Sequence, residues 1–448
     1  MHRARHAGAV DLLDLHQRAP SRYPFLLQSA AGHPDCGRYD ILFAFPSGHL
    51  KVQNGHLSAQ GVADAAGNDF FARLSAWSAQ EHEPEVDSDL PFHGGWFVFL
   101  GYEMAGHVES RLRLPASPFT FPDALAVRCP AAIIHDRQKH ATWLLAERDA
   151  GQLRQMEADL RATPPPASGS FRVLQIEEEP PEHFLTGVER VLDYLRAGDV
   201  FQVNLSRAWQ ARLSVGASTS AIYRQLRISN PAPFAGLAVW DDSAVISSSP
   251  ERLVEVRGRE VQTRPIAGTR PRGAEPAADL ELRTQLIASL KERAEHIMLI
   301  DLERNDLGRV CEPGSVAVSE LMTVESYAHV HHIVSNVRGR LRPDIGPGDV
   351  LRAVFPGGTI TGCPKIRAME IIAEIEGIGR GPYTGAMGYL GVDGRLDMNI
   401  LIRSLVREGE SLHFRAGAGI VSDSVPELEL AETRSKARGL LKALEAKA

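Results

Sequence analysis

The chain has 448 residues, 44% of them hydrophobic and 23% charged, with a formal net charge of −7. That length exceeds one ordinary core and predicts two or three domains or one large intertwined unit. The ordinary composition is that of a soluble globular protein, and the acidic balance counts against a general nucleic-acid or membrane binder. No uninterrupted apolar run is long enough to cross a bilayer. Cys36, Cys129, Cys311 and Cys363 are scattered, with neither a C-x-x-C pair nor zinc spacing, so a reducing cytoplasm is the expected home. The opening MHRARHAGAVDLLDLHQRAP lacks the apolar core of a secretory signal.

In chain order, Gly94-Gly95 marks a tight turn before WFVFLGYE, which reads with AAIIH as buried strand. ATPPPASGS, residues 162–170, reads as a loop or linker rich in Pro and small residues. It divides the chain into an N-terminal region, 1–165, and a C-terminal region, 175–448, that carries most of the polar motifs. Phe184, Val188, Val191, Leu192 and Leu195 fall at helical spacing over 182–197, with Gly198 placed as the C-cap. FQVNLSRAWQARL reads as a strand in which Phe201, Val203 and Leu205 alternate with Gln202, Asn204 and Ser206. AVISSSPERLVEV, REVQTRPIAG and SLHFRAGAGIVSD are further strands. Helices are expected over 277–301, 364–376 and 426–442, the last opened by Ser424 and Glu427 at capping-box spacing. Strands and helices do not alternate regularly, which favours α+β over a doubly wound sheet.

The run FPGGTITGCPKIRAMEIIAEIE turns through glycines into Pro364, Lys365 and an amphipathic helix. Free N–H groups at such a helix start favour an anion. Gly357 and Gly362 have Walker A spacing, but Cys363 stands where the phosphate lysine belongs, so a nucleotide is not expected. Lys365 reads either as an anion-attracting group or as a solvated helix-start residue, and Cys363 as a small packing residue. Glu292 and Glu295 are three residues apart, and Glu429, Glu432 and Lys436 share a helix face. Carboxylates converging from two helices suit a hard cation with oxygen ligands, Mg²⁺ first. The plain alternative is solvated faces, or a Glu432–Lys436 salt bridge. In AHVHHIVSNV, His329 and His331 would point one way and His332 the other. Arg403 lies in the apolar stretch LDMNILIRSLV and needs an anion, either Asp397 or a substrate carboxylate. Gly417 and Gly419 let backbone amides approach a ligand closely, or a sheet pack tightly.

Taken together these motifs resemble the chorismate-utilising enzymes: anthranilate synthase component I, aminodeoxychorismate synthase component I, and the isochorismate and salicylate synthases. The carriers are FQVNLSR, SSSPERL, QTRPIAGTRPRG, KERAEHIMLIDLERNDLGRV, VHHIVS, FPGGTITGCPKIRAMEII, GPYTGAMGYL, the segment ending in Arg403, RAGAGIVSDS and ELAETRSKA. They span nearly everything from Gly198 to Lys436; the N-terminal third matches more loosely. The resemblance implies a large two-layer β-sandwich with helices packed outside. It implies Glu295 and Glu432 as direct Mg²⁺ ligands, supported by Glu292 and Glu429, with the metal holding the ring carboxylate. Tyr383, Arg403, Gly419 and Lys436 match positions that grip the substrate carboxylates, in the RAGAG run that includes Gly417. Thr359 and His332 match residues lining the ring, and Glu251 matches the acid that helps the C4 hydroxyl leave.

Water-using members carry Lys at position 202. This chain has Gln202, which is no general base at neutral pH, so the resemblance implies ammonia as the nucleophile. The chain shows no glutaminase motif with a catalytic Cys, so a separate glutamine amidotransferase subunit is the implied source. Asn204, QTRPI, LLQS followed by RYDI, and DLPFHGGW resemble aminodeoxychorismate synthases. Tryptophan-sensing anthranilate synthases usually read LLES and NPSPYM where this chain has LLQS and NPAPF. Against this, Ala267 in PIAGT matches anthranilate synthases, whereas many aminodeoxychorismate synthases carry there a lysine that attacks C2. The expected reaction is amination of chorismate to 4-amino-4-deoxychorismate for p-aminobenzoate and folate synthesis. Anthranilate synthase component I is the alternative.

Overall fold

Alternation of side chains explains the architecture. In the strand Gly95–Leu100, Trp96, Val98 and Leu100 enter one hydrophobic cluster while Phe97 and Phe99 enter another. Leu26, Leu42 and Ala44 likewise face away from Phe25, Ile41 and Phe43. Strands apolar on both faces must be covered on both faces. In the computed structural model, which describes residues 1–8, 10–30, 37–62, 66–85, 88–162, 169–273, 275–326 and 330–445, two large antiparallel sheets meet that demand. Among the described residues they hold twelve and eleven strands. Phe25 of one sheet stacks on Phe97 of the other at 4.0 Å between ring centroids, in the core between them.

The helices cover the outer faces. Leu12–Arg18, Thr219–Ser229 and Pro426–Glu445 lie on the first sheet. Phe70–Gln80, Leu290–Gly308 and Pro347–Val354 lie on the second. Pro181–Ala197 and Lys365–Glu376 pack on Val203, Leu205, Ala418 and Ile420. The fold is thus α+β with a two-layer β core and helices outside, as the resemblance implied. Both sheets take strands from either side of residues 163–168. Those residues, Cys36 and His329 lie outside the described part of the chain.

Several boundaries differ from the sequence reading for local reasons. The helix expected over 277–301 is two helices, Pro276–Ala288 and Leu290–Gly308. Ser289 breaks them with φ −67° and ψ 111°, and its side chain accepts from the Glu292 N–H as the second helix's cap. Ser424 does not cap through Glu427; its hydroxyl accepts from the Val421 N–H at 3.0 Å. The strand expected over 201–213 is Gln202–Leu213, and Phe201 is 68% exposed just before it. Gly198 caps Pro181–Ala197 in the left-handed conformation, φ 81°, as its position suggested.

Among the described residues no helix is long and apolar enough to cross a membrane.

Candidate active site

The site begins where one strand hands over to the next. Ser243–Ser249 belongs to the first sheet and Arg252–Arg257 to the second, and Pro250-Glu251 bridges them. The backbone pins the bridge: the Ile400 N–H donates to the Glu251 carbonyl at 3.0 Å, and the Glu251 N–H donates to Ser249 Oγ at 3.3 Å. The Glu251 side chain is 5% exposed, and its Oε1 finds no hydrogen-bond partner among the described residues. Burial pushes this carboxyl up to about 7, against Thr359, the Ile266 backbone and the charges of Lys436 and Arg403. Thr359 lies in the turn Gly358–Ile360, and its buried hydroxyl likewise finds no partner among the described residues.

Arg403 follows the strand Leu396–Ile400 with φ +52°, a conformation a branched or long side chain takes only when the surroundings impose it. Burial holds its guanidinium below the usual value, with Glu251 the opposing charge. Asp397 is not its partner. That carboxylate is occupied by Arg252, at 2.9 and 3.0 Å. Arg403 thus faces the site without a bidentate anion among the described residues.

The floor is built by a strand pair. Gln202–Leu213 runs antiparallel to Ser411–Ile420, setting Asn204 opposite Gly419 and Ser206 opposite Gly417. A Cβ at Gly417 would come within 2.7 Å of Asn204 Oδ1 and 2.8 Å of Tyr383 Oη, and one at Gly419 would collide with the Gln202 amide. The glycines therefore make room for these side chains. Gln202 and Asn204 are 8% and 9% exposed, and both amide oxygens are unpartnered among the described residues. Gly362, φ +138°, meets the floor from the other side, where a Cβ would strike the Gln202 carbonyl. Lys436 Nζ donates to the Gly417 carbonyl at 3.0 Å. Burial lifts Tyr383 to about 12, so its phenol stays neutral. Arg380 braces this wall. It pairs with Glu376 at 2.6 Å, donates to the Asn204 carbonyl at 2.7 Å, and lies 5.6 Å from the Tyr383 ring.

Opposite, the strand Ile266–Pro271 pairs with Val330–Arg340, setting Ala267 beside Ile333 and Thr269 beside His332. His332 Nδ1 lies 3.0 Å from Thr269 Oγ1. Burial, with the charge of Arg403, drops His332 to about 4, so it is neutral. Ala267 presents a methyl group and no nucleophile. His331 turns away and ties Asp279 at 2.9 Å and Ser326 at 2.8 Å, a structural use that its position alone did not suggest.

The helical glutamates meet across Leu290–Gly308 and Pro426–Glu445. Burial pushes Glu295 up to about 7, with Glu292, Asp423 and Glu432 adding repulsion and Lys291 opposing it. Glu429 is raised too, by burial and by Glu432. Three of the four carboxylates lean on a cation of the chain. Arg270 lies 3.1 Å from Glu292, Lys291 4.0 Å from Glu295, and Lys436 2.7 Å from Glu432. The Glu432–Lys436 bridge is the one the plain alternative named. Among the described residues, no three acidic, His or Cys side chains stand together as a ready metal cage. The donor set is nonetheless all oxygen and mutually repelling, which suits a hard divalent cation.

Two features were read differently from sequence. Lys365 is neither solvated nor free for an anion: it pairs with buried Asp306. Glu303, also buried, was not singled out, although its spacing from His296, Leu299 and Ile300 on the inner helix face could have flagged it. A cavity of about 600 Å³ lies elsewhere; Gln28, Ser29, Arg38, Phe234, Arg252 and Asp397 help to line it. It takes in the LLQS, RYDI and NPAPF segments and, of the site residues described above, the Arg252–Asp397 pair.

Comparison with known proteins fits this constellation. The family model described as chorismate binding enzyme matches residues 24–442. An anthranilate synthase component 1 from Thermus thermophilus is 43% identical, over 97% of this chain and 94% of the relative. An aminodeoxychorismate synthase component 1 from Bacillus subtilis is 39% identical, over 95% of this chain and 92% of the relative. The crystal structure of anthranilate synthase component I from Streptococcus pneumoniae superposes with a TM-score of 0.81 at 34% identity, covering 91% of this chain and 93% of that one.

Proposed function

The chain belongs to the chorismate-binding enzyme family, and from that premise we propose that it replaces the C4 hydroxyl of chorismate with an amino group. The product is 4-amino-4-deoxychorismate, the precursor of p-aminobenzoate for folate synthesis. The observation that carries this reading is the amide pair Gln202 and Asn204, buried beside Gly417 and Gly419 with both oxygens unpartnered among the described residues. Amide oxygens accept hydrogen bonds from ammonia but do not draw a proton from water. Ammonia needs no such activation.

Glu251, raised to about 7, is partly protonated at neutral pH and in that form gives its proton to the C4 oxygen as that group leaves as water. Ammonia brings the nitrogen and sheds one proton, so chorismate and ammonia balance against the amine and water. Arg403 takes the enolpyruvyl carboxylate by its fork of donors. Tyr383, the Gly417–Gly419 backbone and Lys436 hold the remaining carboxylate oxygens, while Thr359 and neutral His332 line the ring. Glu295 and Glu432, supported by Glu292 and Glu429, would hold Mg²⁺, which when bound neutralises the ring carboxylate. Arg270, Lys291 and Lys436 lie beside three of these carboxylates. Ala267 closes the covalent-lysine route at this position and leaves C2 to a mobile nucleophile, ammonia among them. We read 1–165 and 175–448 as two parts of one catalytic unit, supplied with ammonia by a cytoplasmic glutamine amidotransferase partner.

The test supplies chorismate, Mg²⁺ and ammonium salt, with aminodeoxychorismate lyase added afterwards. The expected readout is p-aminobenzoate only after the lyase; fluorescent anthranilate and pyruvate without it overturn the reading. Ala267 specifically favours that second reading, anthranilate synthase component I. It predicts pyruvate release unaided and, under feedback control, inhibition by tryptophan.

A further inference from the structure

Arg380 is a buried cation to which the scheme above gives no part in the reaction. It is 1% exposed and lies in the connection between Lys365–Glu376 and Ala386–Gly391. Two donors of its fork hold one carboxylate: Nε reaches Glu376 Oε2 at 3.0 Å and Nη2 reaches Glu376 Oε1 at 2.6 Å. That carboxylate is fixed in turn by the Ser206 N–H and hydroxyl, at 2.9 and 2.8 Å, and by Arg415 at 3.0 Å. The Arg380 N–H donates to Glu103 Oε1 at 2.7 Å, so the residue is held at both ends. A planar fork gripped this way orients whatever else it touches.

It touches both sides of the floor. Nη2 also donates to the Asn204 carbonyl at 2.7 Å, and the guanidinium lies 5.6 Å from the centre of the Tyr383 ring. Tyr383 sits in a turn between Gly381, φ +58°, and Thr384, φ +62°, outside the sheet ladders. Its ring direction is therefore set by side-chain neighbours rather than by backbone pairing. A Cβ at Gly417 would meet Asn204 Oδ1 at 2.7 Å and Tyr383 Oη at 2.8 Å, so the two polar atoms converge on one point. One guanidinium stands behind both. Among the described residues, its donors reach Glu103, Asn204, Ile360, Glu376 and Thr384, and neither of the helices that carry the glutamates.

We propose that Arg380 is a positioning residue for both substrates at once: its fork aims Asn204 at ammonia and Tyr383 at the chorismate carboxylate. The proposal rests on the roles assigned above to those two side chains. One link runs through the Asn204 carbonyl and the other through the Tyr383 ring, so loss of the fork releases the two together.

Arg380→Gln removes the fork, while Glu376 keeps Arg415 and Ser206 as partners. Initial rates are read as chorismate consumption, whichever product forms, with chorismate and ammonium salt varied in turn. We expect KM to rise roughly five- to twentyfold for chorismate and roughly two- to fivefold for ammonia, because a hydrogen bond to a carboxylate is the stronger of the two. The Mg²⁺ half-saturation point at saturating chorismate should stay at the wild-type value. A merely structural role would lower kcat and leave both KM values alone; that result, or a rise in only one KM, overturns the proposal. A Mg²⁺ half-saturation point that rises in step with both KM values shows a general loosening and overturns it too.

Arg380→Lys keeps a charge opposite Glu376 but has no fork, and takes the same measurements if the glutamine variant folds poorly. It should show both increases, and wild-type KM values with lysine overturn the proposal. Calorimetric binding of chorismate, with Mg²⁺ and without ammonia, repeats the chorismate arm without turnover; an unchanged Kd in Arg380→Gln overturns the proposal. Tyr383→Phe and Asn204→Ala separate the proposal from the reading beneath it. Raised KM values in those two, beside unmoved ones in Arg380→Gln, sink the proposal alone. Unmoved values in those two sink the assigned roles and the proposal together.

Discussion

The two acidic regions of the site are built in opposite ways. The Glu251 pocket is carried by strands and tight turns whose backbones are fixed by sheet ladders, and two of its polar atoms, Glu251 Oε1 and Thr359 Oγ1, are buried and unpartnered among the described residues. The carboxylate face is carried by two helices, with Glu432 48% exposed and every glutamate described there propped by or near a lysine or arginine. The pocket stores its function as desolvation, which keeps a carboxyl protonated near neutrality. The face holds its carboxylates in mutual repulsion, relieved by Arg270, Lys291 and Lys436. A rigid, dry site suits a group that must hold one proton; a looser, braced site suits side chains that must exchange partners when a cation arrives.

Breaking the pocket should cost most. Glu251→Gln is expected to lower kcat for chorismate by about 10²–10⁴ with little change in KM, because it removes a general acid and leaves the shape. Steady-state chorismate consumption measures this, and a loss under about tenfold would show that desolvation at Glu251 does not serve the leaving hydroxyl. On the helical face, Glu429→Gln should weaken Mg²⁺ by about 10–100-fold while kcat at saturating metal stays near wild type. A metal titration of activity checks it; an unchanged half-saturation point would remove Glu429 from the supporting set.

The smallest effect sharpens the comparison through stability. The folded Glu251 sits near 7, above its ordinary 4.5, so its stabilising contribution is complete below about 4.5 and is lost as pH rises through about 7. Glu251→Gln should therefore be more stable than wild type at about pH 8, by on the order of 1–2 kcal/mol, with the difference fading toward pH 5. Denaturant melts at the two pH values would show it. A stabilisation that does not vary with pH would mean that packing, not charge burial, is the cause.

The sequence carried the local pattern well. Alternation located Val203 and Leu205 on the core face and Gln202 and Asn204 on the other, because strand periodicity is a property of the backbone itself. Phe201 broke that pattern because the strand starts one residue later than its apolar spacing implied. The helical glutamates were legible for the same reason, since spacings of three and four fix a shared face wherever the helix packs. Spacing did not reveal that Ser289 divides the first helix, because a cap competes with propensity only through its own local hydrogen bond.

By itself, the amino-acid order determined which side chains share a face, where glycines admit close approach, and which residue types chorismate chemistry would need. Only the tertiary structure decided pairing and burial: that Asp397 belongs to Arg252, Lys365 to Asp306 and His331 to Asp279, and that Glu303 is buried. These partners are separated by 145, 59 and 52 residues in the three pairs. Short-range periodicity carries no information across such distances, and a carboxyl's charge state depends on what the folded chain excludes from around it.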